Sequence, residues 1–488
     1  MANHCYIACD IGADSGRVIL GTLESGRLTF EEVHRFPNGP AKIGGSLRWD
    51  VIRIFEELKT GLRKVAEKKI PAASLSVDTW GVDYVLFNGR QPMLSLPYHY
   101  RDTRTDKPYA AARKNELIFS ETGIQFMTFN TLYQLIADTE QDGDLLKIAD
   151  RFLNIADYLN FLFSGVGRAE ESLASTTQLY NPKTRTWSEA LIRTFKLPRN
   201  IFPQIVPSGT RLGALSAEVA AETGLSGIEV VASCSHDTGA AVAAIPAQGD
   251  DWAYLSSGTW SLIGVELPAP LINETVRKFN FTNEAGYGGT TRFLKNIVGL
   301  WILQESKRAW AREGKNLGYA EIERLAAEAE PFYSLINPNA PRFLQPDAMP
   351  EKIAAYCRET GQPAPETPGQ LARCVYESLA LSYQGALKSI EQIIGRSISR
   401  LHIVGGGSKD ELLNQLAANA TGRTVFAGPV EATACGNVLI QALTLGHLPN
   451  LSALREVVRA SFPIRQFQPE QSEAWEQASE RFAALPAL

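Results

Sequence analysis

Two stretches of the sequence share one pattern: an apolar run, a short polar turn and a second apolar run. Residues 5–20 read CYIACDIGADSGRVIL, and residues 252–264 read WAYLSSGTWSLIG. Apolar runs of this length, bounded by Gly, Ser and Asp, predict strands joined by a tight turn. A plain hairpin accounts for either stretch taken alone. Its recurrence in both halves of the chain favours two related α/β domains that face each other across a cleft.

The length of the chain supports this division. A single hydrophobic core stops growing well below 488 residues, so two large domains are expected. The segment 246–251 reads PAQGDD and has the composition of a linker. We therefore predict an N-terminal domain at 1–246, a C-terminal domain at 247–460, and a C-terminal tail with a surface helix at 461–488.

The composition argues against several classes of protein. Hydrophobic residues make up 44% and charged residues 21% of the chain, as in ordinary globular proteins. The net charge of −5 argues against a protein that binds nucleic acid or a membrane surface, because both usually carry a basic face. The sequence shows no recognisable signal peptide and no apolar run of membrane-spanning length, so we expect a cytoplasmic location.

The cysteines do not indicate a metal site or a disulfide framework. None of the six forms a C-x-x-C pair. Cys357 and Cys374 flank a proline-rich segment and could approach one another. Two reduced thiols are the favoured state in a reducing cytosol, and a disulfide is the alternative.

Several common catalytic motifs are missing. The sequence contains no P-loop, no strand followed by G-x-G-x-x-G, no H-E-x-x-H and no G-x-S-x-G. What remains is a set of turns rich in Gly, Ser, Thr and Asp at predicted strand ends. Phosphoryl transfer needs little more than this: positioning, a divalent ion, N–H donors for the phosphates and one carboxylate to accept a proton.

The first of these turns follows Asp10. Gly12 and Gly16 allow the backbone to bend and a ligand to come close, and the small residues between them leave N–H groups that can face phosphate oxygens. Asp10 itself is placed to hold hydrated Mg²⁺, which prefers carboxylate oxygen. A hairpin in which Asp10 only caps the turn is the structural alternative.

A second glycine-rich turn lies at 405–407, after the apolar run LHIV at 401–404. Three consecutive glycines allow close approach of the backbone to a nucleotide, and a helix capped near Ser408 and ending at Gly422 would favour the negative charge of the phosphates. A tight structural turn is the alternative, although it needs fewer glycines.

The strongest candidate for catalysis lies at the end of a third strand. Residues 230–241 read VVASCSHDTGAA, which predicts a buried strand, a polar break and a helix. Asp237 stands at this break, and a second polar strand end, DTWGVD, occurs at 78–83. Open α/β sheets place their ligand sites at such strand ends. Asp237 is therefore predicted to be a catalytic base, with a structural cap as the alternative.

Over nearly its whole length the sequence resembles the FGGY family of carbohydrate kinases. The Asp-Ile-Gly and triple-glycine motifs are widely shared, whereas the Trp-containing turns and the His-Asp-Thr tripeptide are more specific. The resemblance rests on these motifs: DIGA and SGR within 10–17, DTWGVD at 78–83, GIQF and NTLYQL within 123–135, SHDT at 235–238, YLSSGTWSL at 254–262, LKNI at 294–297, HIVGGG at 402–407 and AGPVEA at 427–432.

The resemblance implies a fold, a reaction and site residues. The fold is two actin-like ATPase (ribonuclease H-like) domains with the catalytic cleft between them. The reaction is ATP- and Mg²⁺-dependent phosphorylation of a ketose, L-rhamnulose, at O1, with Asp237 as the base. The ketose would be held by Asp237 itself and by Gly81, His236, Thr238 and Asn296. ATP would be held by Ala13, Asp14, Ser15, Gly16, Arg17, Thr259, Gln304, Gly405 and Gly406.

One residue departs from the expected pattern, and two other functions remain open. An acidic side chain at Asp14 must point away from the phosphates or toward the metal, so its role is open. The sugar could instead be L-fuculose, L-xylulose or another ketose, because a few hydrogen bonds decide stereochemistry. An actin- or chaperone-like ATPase also fits the glycine turns but not the His-Asp-Thr strand end. The expected partners are the ketose and ATP alone, with no nucleic acid or membrane, and the expected state is a monomer or weak homo-oligomer.

Overall fold

The computed structural model describes residues 3–470 and 473–486, apart from the side chains of residues 142 and 143. Its strands are β1 (His4–Ile11), β2 (Ser15–Glu24), β3 (Arg27–Pro37), β4 (Pro40–Ile43), β5 (Ser46–Trp49), β6 (Ala72–Thr79), β7 (Tyr84–Phe87), β8 (Arg151–Asn154), β9 (Ala169–Glu170), β10 (Tyr180–Asn181), β11 (Thr186–Trp187), β12 (Ile205–Val206), β13 (Thr210–Ala214), β14 (Glu229–Ala232), β15 (Trp252–Ser257), β16 (Trp260–Leu267), β17 (Thr282–Ala285), β18 (Thr291–Val298), β19 (Arg400–Val404), β20 (Thr424–Ala427) and β21 (Arg465–Phe467).

Helices occur throughout the chain. They are α1 (Val51–Glu67), α2 (Asp106–Ala112), α3 (Glu116–Thr122), α4 (Thr131–Ile148), α5 (Ile155–Ser164), α6 (Glu171–Thr176), α7 (Glu189–Thr194), α8 (Ala217–Thr223), α9 (Asp237–Ala243), α10 (Glu274–Phe279), α11 (Trp301–Arg312), α12 (Tyr319–Glu328), α13 (Met349–Glu359), α14 (Pro368–Ile394), α15 (Glu411–Thr421), α16 (Ala432–Thr444), α17 (Leu451–Ser461) and α18 (Glu473–Ala483). Within the described part of the chain, no helix combines the length and apolar character needed to cross a bilayer.

The chain forms two compact units. The first runs to Pro246 and also includes Glu266–Phe293 and Ala432–Ser461. The second consists of Ala247–Val265, Leu294–Glu431 and the chain from Phe462 onward. The predicted C-terminal domain includes all of 247–460, whereas in the structure 266–293 and 432–460 belong to the first unit. Two stretches distant in sequence thus complete the packing of the N-terminal half.

The first unit is built on a six-stranded sheet ordered β13–β14–β6–β1–β2–β3. Strand β1 pairs antiparallel with β2 and parallel with β6, and β6 pairs parallel with β14. Helices α1, α5 and α16 pack on this sheet. Helix α1 buries Ile54, Leu58, Leu62 and Val65, whose spacing of three and four residues places them on one face of the helix. The carboxyl ends of β1, β6 and β14 therefore lie side by side at one edge of the sheet.

The second unit repeats the strand pattern of the first. In its sheet the strands are ordered β18–β16–β15–β19–β20–β21. Strand β15 pairs antiparallel with β16 and parallel with β19, as β1 does with β2 and β6. Each unit therefore contains the predicted strand–turn–strand and adds a parallel strand to it.

Two helices have other boundaries than the sequence pattern predicts. The apolar-then-polar pattern over 296–312 predicts a helix, but Asn296 lies in β18 and α11 begins at Trp301. The β-branched pair Ile297 and Val298 continues the strand, and Gly299 then passes so close to Ser261 that an added Cβ would lie 2.7 Å from its Oγ. The helical pattern over 145–163 is interrupted by β8, which pairs with β7.

The cysteines agree with the favoured expectation. All six are free and buried. Cys357 and Cys374 interact by a hydrogen bond, which lowers the pKa of Cys357 and raises that of Cys374.

Candidate active site

Two carboxylates meet at the edge of the first unit's sheet. Asp10 on β1 and Asp78 on β6 are direct partners in the parallel register. Arg17, which follows the first turn on β2, donates a hydrogen bond to Asp10 Oδ2. The tight turn after β1 makes this contact possible, because it reverses the chain and brings Arg17 opposite Asp10 in the antiparallel pair.

Asp78 is completely buried. Its Oδ2 accepts a hydrogen bond of 2.5 Å from Asn437 Nδ2 on α16, and its Oδ1 has no hydrogen-bond partner. Burial raises the pKa of Asp78 well above its usual value, and the negative charges of Asp10 and Asp237 add to the effect. A buried carboxylate oxygen without a partner is costly, and a bound cation would satisfy it.

Asp237 begins α9, directly after the polar break that follows β14. Its side chain is 31% exposed. Its Oδ1 accepts hydrogen bonds from the backbone N–H of Thr238 at 2.6 Å and from the Thr238 hydroxyl at 3.2 Å. Burial raises the pKa of Asp237, and Asp10 adds to this, while His236 and Thr238 oppose it. A carboxylate that is partly accessible and has a raised pKa is suited to accept a proton.

His236 has a charged group on each side of its ring. Nε2 lies 3.5 Å from Asp237 Oδ1, and Nδ1 lies 3.0 Å from Arg292 Nη2 and 3.4 Å from Glu284 Oε2. Arg292 is 0% exposed and pairs with Glu284 at 3.0 Å. Burial opposes ionisation of Glu284, but Arg292 and His236 outweigh it, so the pKa of Glu284 is lowered.

The main chain before Asp237 is anchored by buried groups of α6 and the residue before it. The backbone N–H of Ser235 donates to Glu170 Oε2 at 3.1 Å, and that of His236 donates to Ser172 Oγ at 3.0 Å. The backbone N–H of Thr79 donates to the carbonyl of Ser235 at 2.9 Å. The last bond joins the segment 235–237, which follows β14, to the end of β6 at Thr79. The other two fix the same segment to α6 and the residue before it.

Packing also fixes the helix that carries Asp237. A Cβ added at Gly436 of α16 would lie 1.9 Å from the carbonyl oxygen of Ala240 in α9. Gly436 therefore serves close packing, because only glycine allows the two helices to approach this far. Helix α16 also positions Asn437 against Asp78.

The turn after β6 is strained. Val82 has a φ of +68°, which is rare for a β-branched residue. Its N–H donates to Thr176 Oγ1 at 3.1 Å, and its carbonyl accepts from Thr131 Oγ1 at 2.6 Å. A Cβ added at Gly81 would lie 2.7 Å from Thr176 Oγ1. Strain of this kind persists where the surroundings enforce it, often at functional sites.

Asp83 anchors this turn from below. Its Oδ2 accepts hydrogen bonds from Trp49 Nε1 at 2.6 Å and Trp80 Nε1 at 3.0 Å, and its Oδ1 accepts from Gln134 Nε2 at 2.9 Å. Burial raises the pKa of Asp83 to about 6 in spite of these donors. Asp83 is fully buried and its oxygens accept hydrogen bonds from three side chains. We therefore assign it a role in holding the turn and not in binding a ligand.

The first predicted phosphate turn is a tight hairpin turn. The N–H of Gly12 donates to the Ser15 carbonyl at 2.9 Å, and a Cβ added at Gly12 would touch only that oxygen, at 3.6 Å. Asp14 is exposed. Gly16 is required by packing, because an added Cβ would lie 2.2 Å from Phe36. The space beside the Cα of Gly12 is therefore open, whereas that beside the Cα of Gly16 is filled by Phe36, so only the backbone of Gly16 could meet a ligand. Ala13 and Ser15 are half-buried beside Asp14.

In the second unit, the fold brings Thr259 and Gln304 together. The Thr259 hydroxyl lies 3.4 Å from Gln304 Oε1 on α11. The carbonyl of Thr259 accepts from the N–H groups of Gly299 and Trp301, both at 3.2 Å. The turn between β15 and β16 is thus tied to the start of α11. Asn296 lies half-buried on the preceding strand, β18.

The glycine turn at 405–407 packs against β15. Gly405 has a φ of +82°, and a Cβ added at Gly407 would lie 2.0 Å from Ser257 Oγ. Gly406 has nothing within 4 Å of an added Cβ. The helix cap was predicted near Ser408, but Asp410 caps α15 by accepting from the N–H of Leu413 at 2.9 Å. A carboxylate therefore occupies the N-terminus of α15, and a phosphate could meet only the turn itself.

The predicted site residues fall into two sets. The first unit contains Ala13, Asp14, Ser15, Gly16, Arg17, Gly81, His236, Asp237 and Thr238, and the second contains Thr259, Asn296, Gln304, Gly405 and Gly406. Sequence reasoning missed Glu284 and Arg292, which face His236, and Asn437, which contacts Asp78. They come from segments far along the chain, and no local motif marks them.

The carboxylates at the sheet edge have the chemistry of a magnesium site. Asp10 and the unpartnered oxygen of Asp78 are hard oxygen donors, which suit Mg²⁺. No cluster of three or more His, Cys, Asp or Glu side chains suited to a metal ion occurs in residues 3–470 or 473–486. Mg²⁺ usually binds through one or two carboxylates and substrate phosphates, so two carboxylates fit it.

Comparison with known proteins decides the family. The model described as the FGGY family of carbohydrate kinases, N-terminal domain, matches residues 5–244, and the corresponding C-terminal model matches residues 253–445. This chain belongs to the FGGY family of carbohydrate kinases. The FGGY chain is 42% identical to rhamnulokinase of Bacteroides thetaiotaomicron over 97% of both chains. It is also 42% identical to rhamnulokinase of Enterococcus faecalis over 95% of this chain and 94% of that protein.

Solved structures agree with the predicted fold. A ligand-bound xylulose kinase from Lactobacillus acidophilus matches with a TM-score of 0.80 at 15% identity, covering 98% of this chain and 96% of that chain. The actin-like, ribonuclease H-like α/β fold of this FGGY kinase is thereby confirmed. Membership of a kinase family implies the use of ATP and a sugar.

Proposed function

We propose that this FGGY kinase transfers the γ-phosphoryl group of MgATP to O1 of L-rhamnulose, giving L-rhamnulose 1-phosphate and ADP. The choice of sugar rests on the 42% identity to rhamnulokinases over nearly the whole chain. The choice of base rests on one observation: Asp237 is a partly exposed carboxylate with a raised pKa at a predicted ligand-binding strand end.

The proposed chemistry needs one proton acceptor. The Asp237 carboxylate accepts the proton of the C1 hydroxyl as O1 attacks the γ-phosphorus. The O1–P bond forms, the bond from phosphorus to the β–γ bridging oxygen breaks, and ADP leaves with that electron pair. Asp237 then releases the proton to solvent. General-base assistance of this kind contributes about 10²–10⁴-fold in rate.

The ketose would be positioned by the groups around Asp237. The backbone at Gly81, the ring of His236 and the hydroxyl of Thr238 surround the carboxylate's strand end in the first unit, and Asn296 is the proposed contribution of the second. Hydrogen bonds from such groups orient the acceptor hydroxyl, and positioning supplies much of the catalysis in phosphoryl transfer.

ATP would be bound by residues of both predicted sets. The turn from Ala13 to Arg17 and the groups at Thr259, Gln304, Gly405 and Gly406 offer N–H and hydroxyl donors. Asp10 and Asp78 would hold Mg²⁺, which when bound neutralises charge on the phosphates. Asp14 is exposed, and its role in this turn stays open. The cytoplasmic location and the monomeric or weakly oligomeric state remain predictions.

The test is a measurement of ADP release with L-rhamnulose, L-fuculose and L-xylulose, using the wild type, Asp237→Asn and a control, Asp144→Asn. Asp144 is an exposed carboxylate that pairs with Lys147, three residues further along the same helix. We expect the highest kcat/KM with L-rhamnulose, a loss of at least 10²-fold in Asp237→Asn and no change in the control.

The results separate the two parts of the proposal. An Asp237→Asn enzyme within a few-fold of wild type would exclude Asp237 as the base. A preference for another ketose would reassign the substrate and leave the base intact. ATP turnover that is indifferent to every sugar would favour an ATPase without a sugar substrate.

A further inference from the structure

A buried guanidinium faces the ring of His236. Arg292 is 0% exposed, and its three nitrogens each have a near neighbour in the first unit. Nε donates to the carbonyl of Ala285 at 3.0 Å, Nη1 lies 3.0 Å from Glu284 Oε2, and Nη2 lies 3.0 Å from His236 Nδ1. A buried ion pair contributes little net stability compared with apolar residues of the same size. The Arg292–Glu284 pair therefore calls for an explanation other than stability.

Proton counting gives that explanation. A guanidinium has donors only and cannot accept a hydrogen bond. The ring nitrogen that Arg292 faces must therefore carry a lone pair. A neutral imidazole has a single N–H, which then lies on Nε2. Nε2 is the nitrogen on the side of Asp237 Oδ1, at 3.5 Å.

Glu284 is the competing partner, because its Oε2 lies 3.4 Å from the same Nδ1 and would accept a proton from it. Arg292 lies nearer to Nδ1, at 3.0 Å, and pairs with that same carboxylate. Among the groups that lower the pKa of Glu284, Arg292 contributes first and His236 second. The carboxylate is thus satisfied mainly by Arg292, and the nearer guanidinium decides which tautomer is stable.

We propose that Arg292, balanced by Glu284, is a positioning residue that holds His236 as the Nε2–H tautomer. The ring then donates toward Asp237 and the ketose, and leaves acceptance of the hydroxyl proton to the Asp237 carboxylate. With the opposite tautomer, Nε2 would present a lone pair, compete for the hydroxyl proton and repel the carboxylate. The consequence for catalysis rests on the proposed function, whereas the tautomer itself does not.

The tautomer can be read directly. Full-length protein labelled with ¹⁵N-histidine gives long-range ¹H–¹⁵N correlations that distinguish the Nε2–H from the Nδ1–H form, and the spectrum of His236→Gln identifies the His236 signals. We expect the Nε2–H pattern in the wild type without any ligand. An Nδ1–H pattern would overturn the proposal whatever the enzyme's activity.

Variants test the cause. Arg292→Met leaves Glu284 unpaired and can fail to fold, so the double variant Arg292→Met/Glu284→Gln removes both charges together. We expect a mixture of tautomers in the double variant, a fall of about ten- to a hundredfold in kcat/KM for the ketose, and little change in KM for ATP. Losses of this size are typical when a partner that fixes a histidine tautomer is removed from a metal-binding histidine. Arg292→Lys keeps a donor at this position. It should therefore retain part of the Nε2–H preference and part of the kcat/KM for the ketose.

The matched control is Arg455→Met/Glu266→Gln, which removes a similar ion pair of 2.9 Å elsewhere in the first unit. It should change neither the His236 signals nor the ketose KM. A folded Arg292→Met/Glu284→Gln enzyme with the wild-type tautomer and kinetics would overturn the role of Arg292. If the wild type phosphorylates no ketose, the proposed function fails, while the tautomer result still decides the assignment of Arg292.

Discussion

Asp10 and Asp78 lie opposite each other at the carboxyl ends of two parallel strands, and Asp78 has one carboxylate oxygen without a hydrogen-bond partner. The negative charge of Asp10 adds to the cost of ionising Asp78, which is fully buried. The pair of carboxylates is unfavourable without a cation and favourable in a protein that binds one. The effects of the pair on stability and on catalysis can be measured separately.

The first prediction concerns Asp78 and pH. The pKa of Asp78 is raised in the folded state, so the folded protein binds more protons than the unfolded chain at pH values above the usual aspartate pKa. Stability therefore falls as pH rises through this range. Asp78→Asn should weaken that fall, because it removes the titrating carboxyl group. The variant should still fold, since its amide oxygen can accept the hydrogen bond from Asn437. Urea unfolding at pH 5 and pH 8, without Mg²⁺, measures the difference, and an unchanged pH dependence in the variant would contradict the assignment.

The second prediction concerns Asp237 and catalysis. Burial, together with Asp10, raises the pKa of Asp237, and the base must be ionised to act. The kcat/KM for the ketose should therefore decline toward low pH, beginning above the ordinary aspartate range of about 4. Asp10→Asn removes one of the raising charges and should move this decline to lower pH. A decline that stays in place in Asp10→Asn would show that another group controls it.

The third prediction compares two glycines of the first unit. Gly81→Ala forces a methyl group to within 2.7 Å of Thr176 Oγ1, whereas Gly89→Ala meets its nearest neighbour at an ordinary 3.8 Å. Overpacking of this kind costs about 1–3 kcal/mol. Gly81→Ala should lower the free energy of unfolding by that amount and raise the ketose KM, and Gly89→Ala should do neither. Equal stability of the two variants in urea would show that the turn yields more easily than its packing indicates.

The fourth prediction concerns the glycine turn of the second unit. An added Cβ has open space at both Gly406 and Gly385, the latter on α14. Both alanine variants should fold with at least wild-type stability, because neither position has a positive φ. Only Gly406→Ala should raise the KM for ATP, since the backbone there is proposed to contact the nucleotide. If the two variants have the same KM for ATP, the nucleotide does not approach Gly406.

The sequence was sufficient for features that depend on local pattern. The strand–turn–strand segments at 5–20 and 252–264, the buried face of α1 and the end of α15 at Gly422 all follow from periodicity and from the special backbone freedom of glycine. The motifs at 10–17, 78–83 and 235–238 also identified the family. The boundaries of helices and strands are harder to predict where apolar residues fit both kinds of element. Ile297 and Val298, for example, continue strand β18 instead of starting a helix.

Only the tertiary structure revealed the groups that act on the candidate catalytic residues from a distance. Asn437 reaches Asp78 across 359 positions of sequence, and Arg292 reaches His236 across 56. Gly436 matters because α16 packs on α9, and neither helix shows this alone. Local sequence determines which residues end a strand, because that depends on neighbouring side chains. Burial and charge at those residues depend on which distant segments pack against them, so the tertiary fold decided the pKa of Asp237 and the partner of His236.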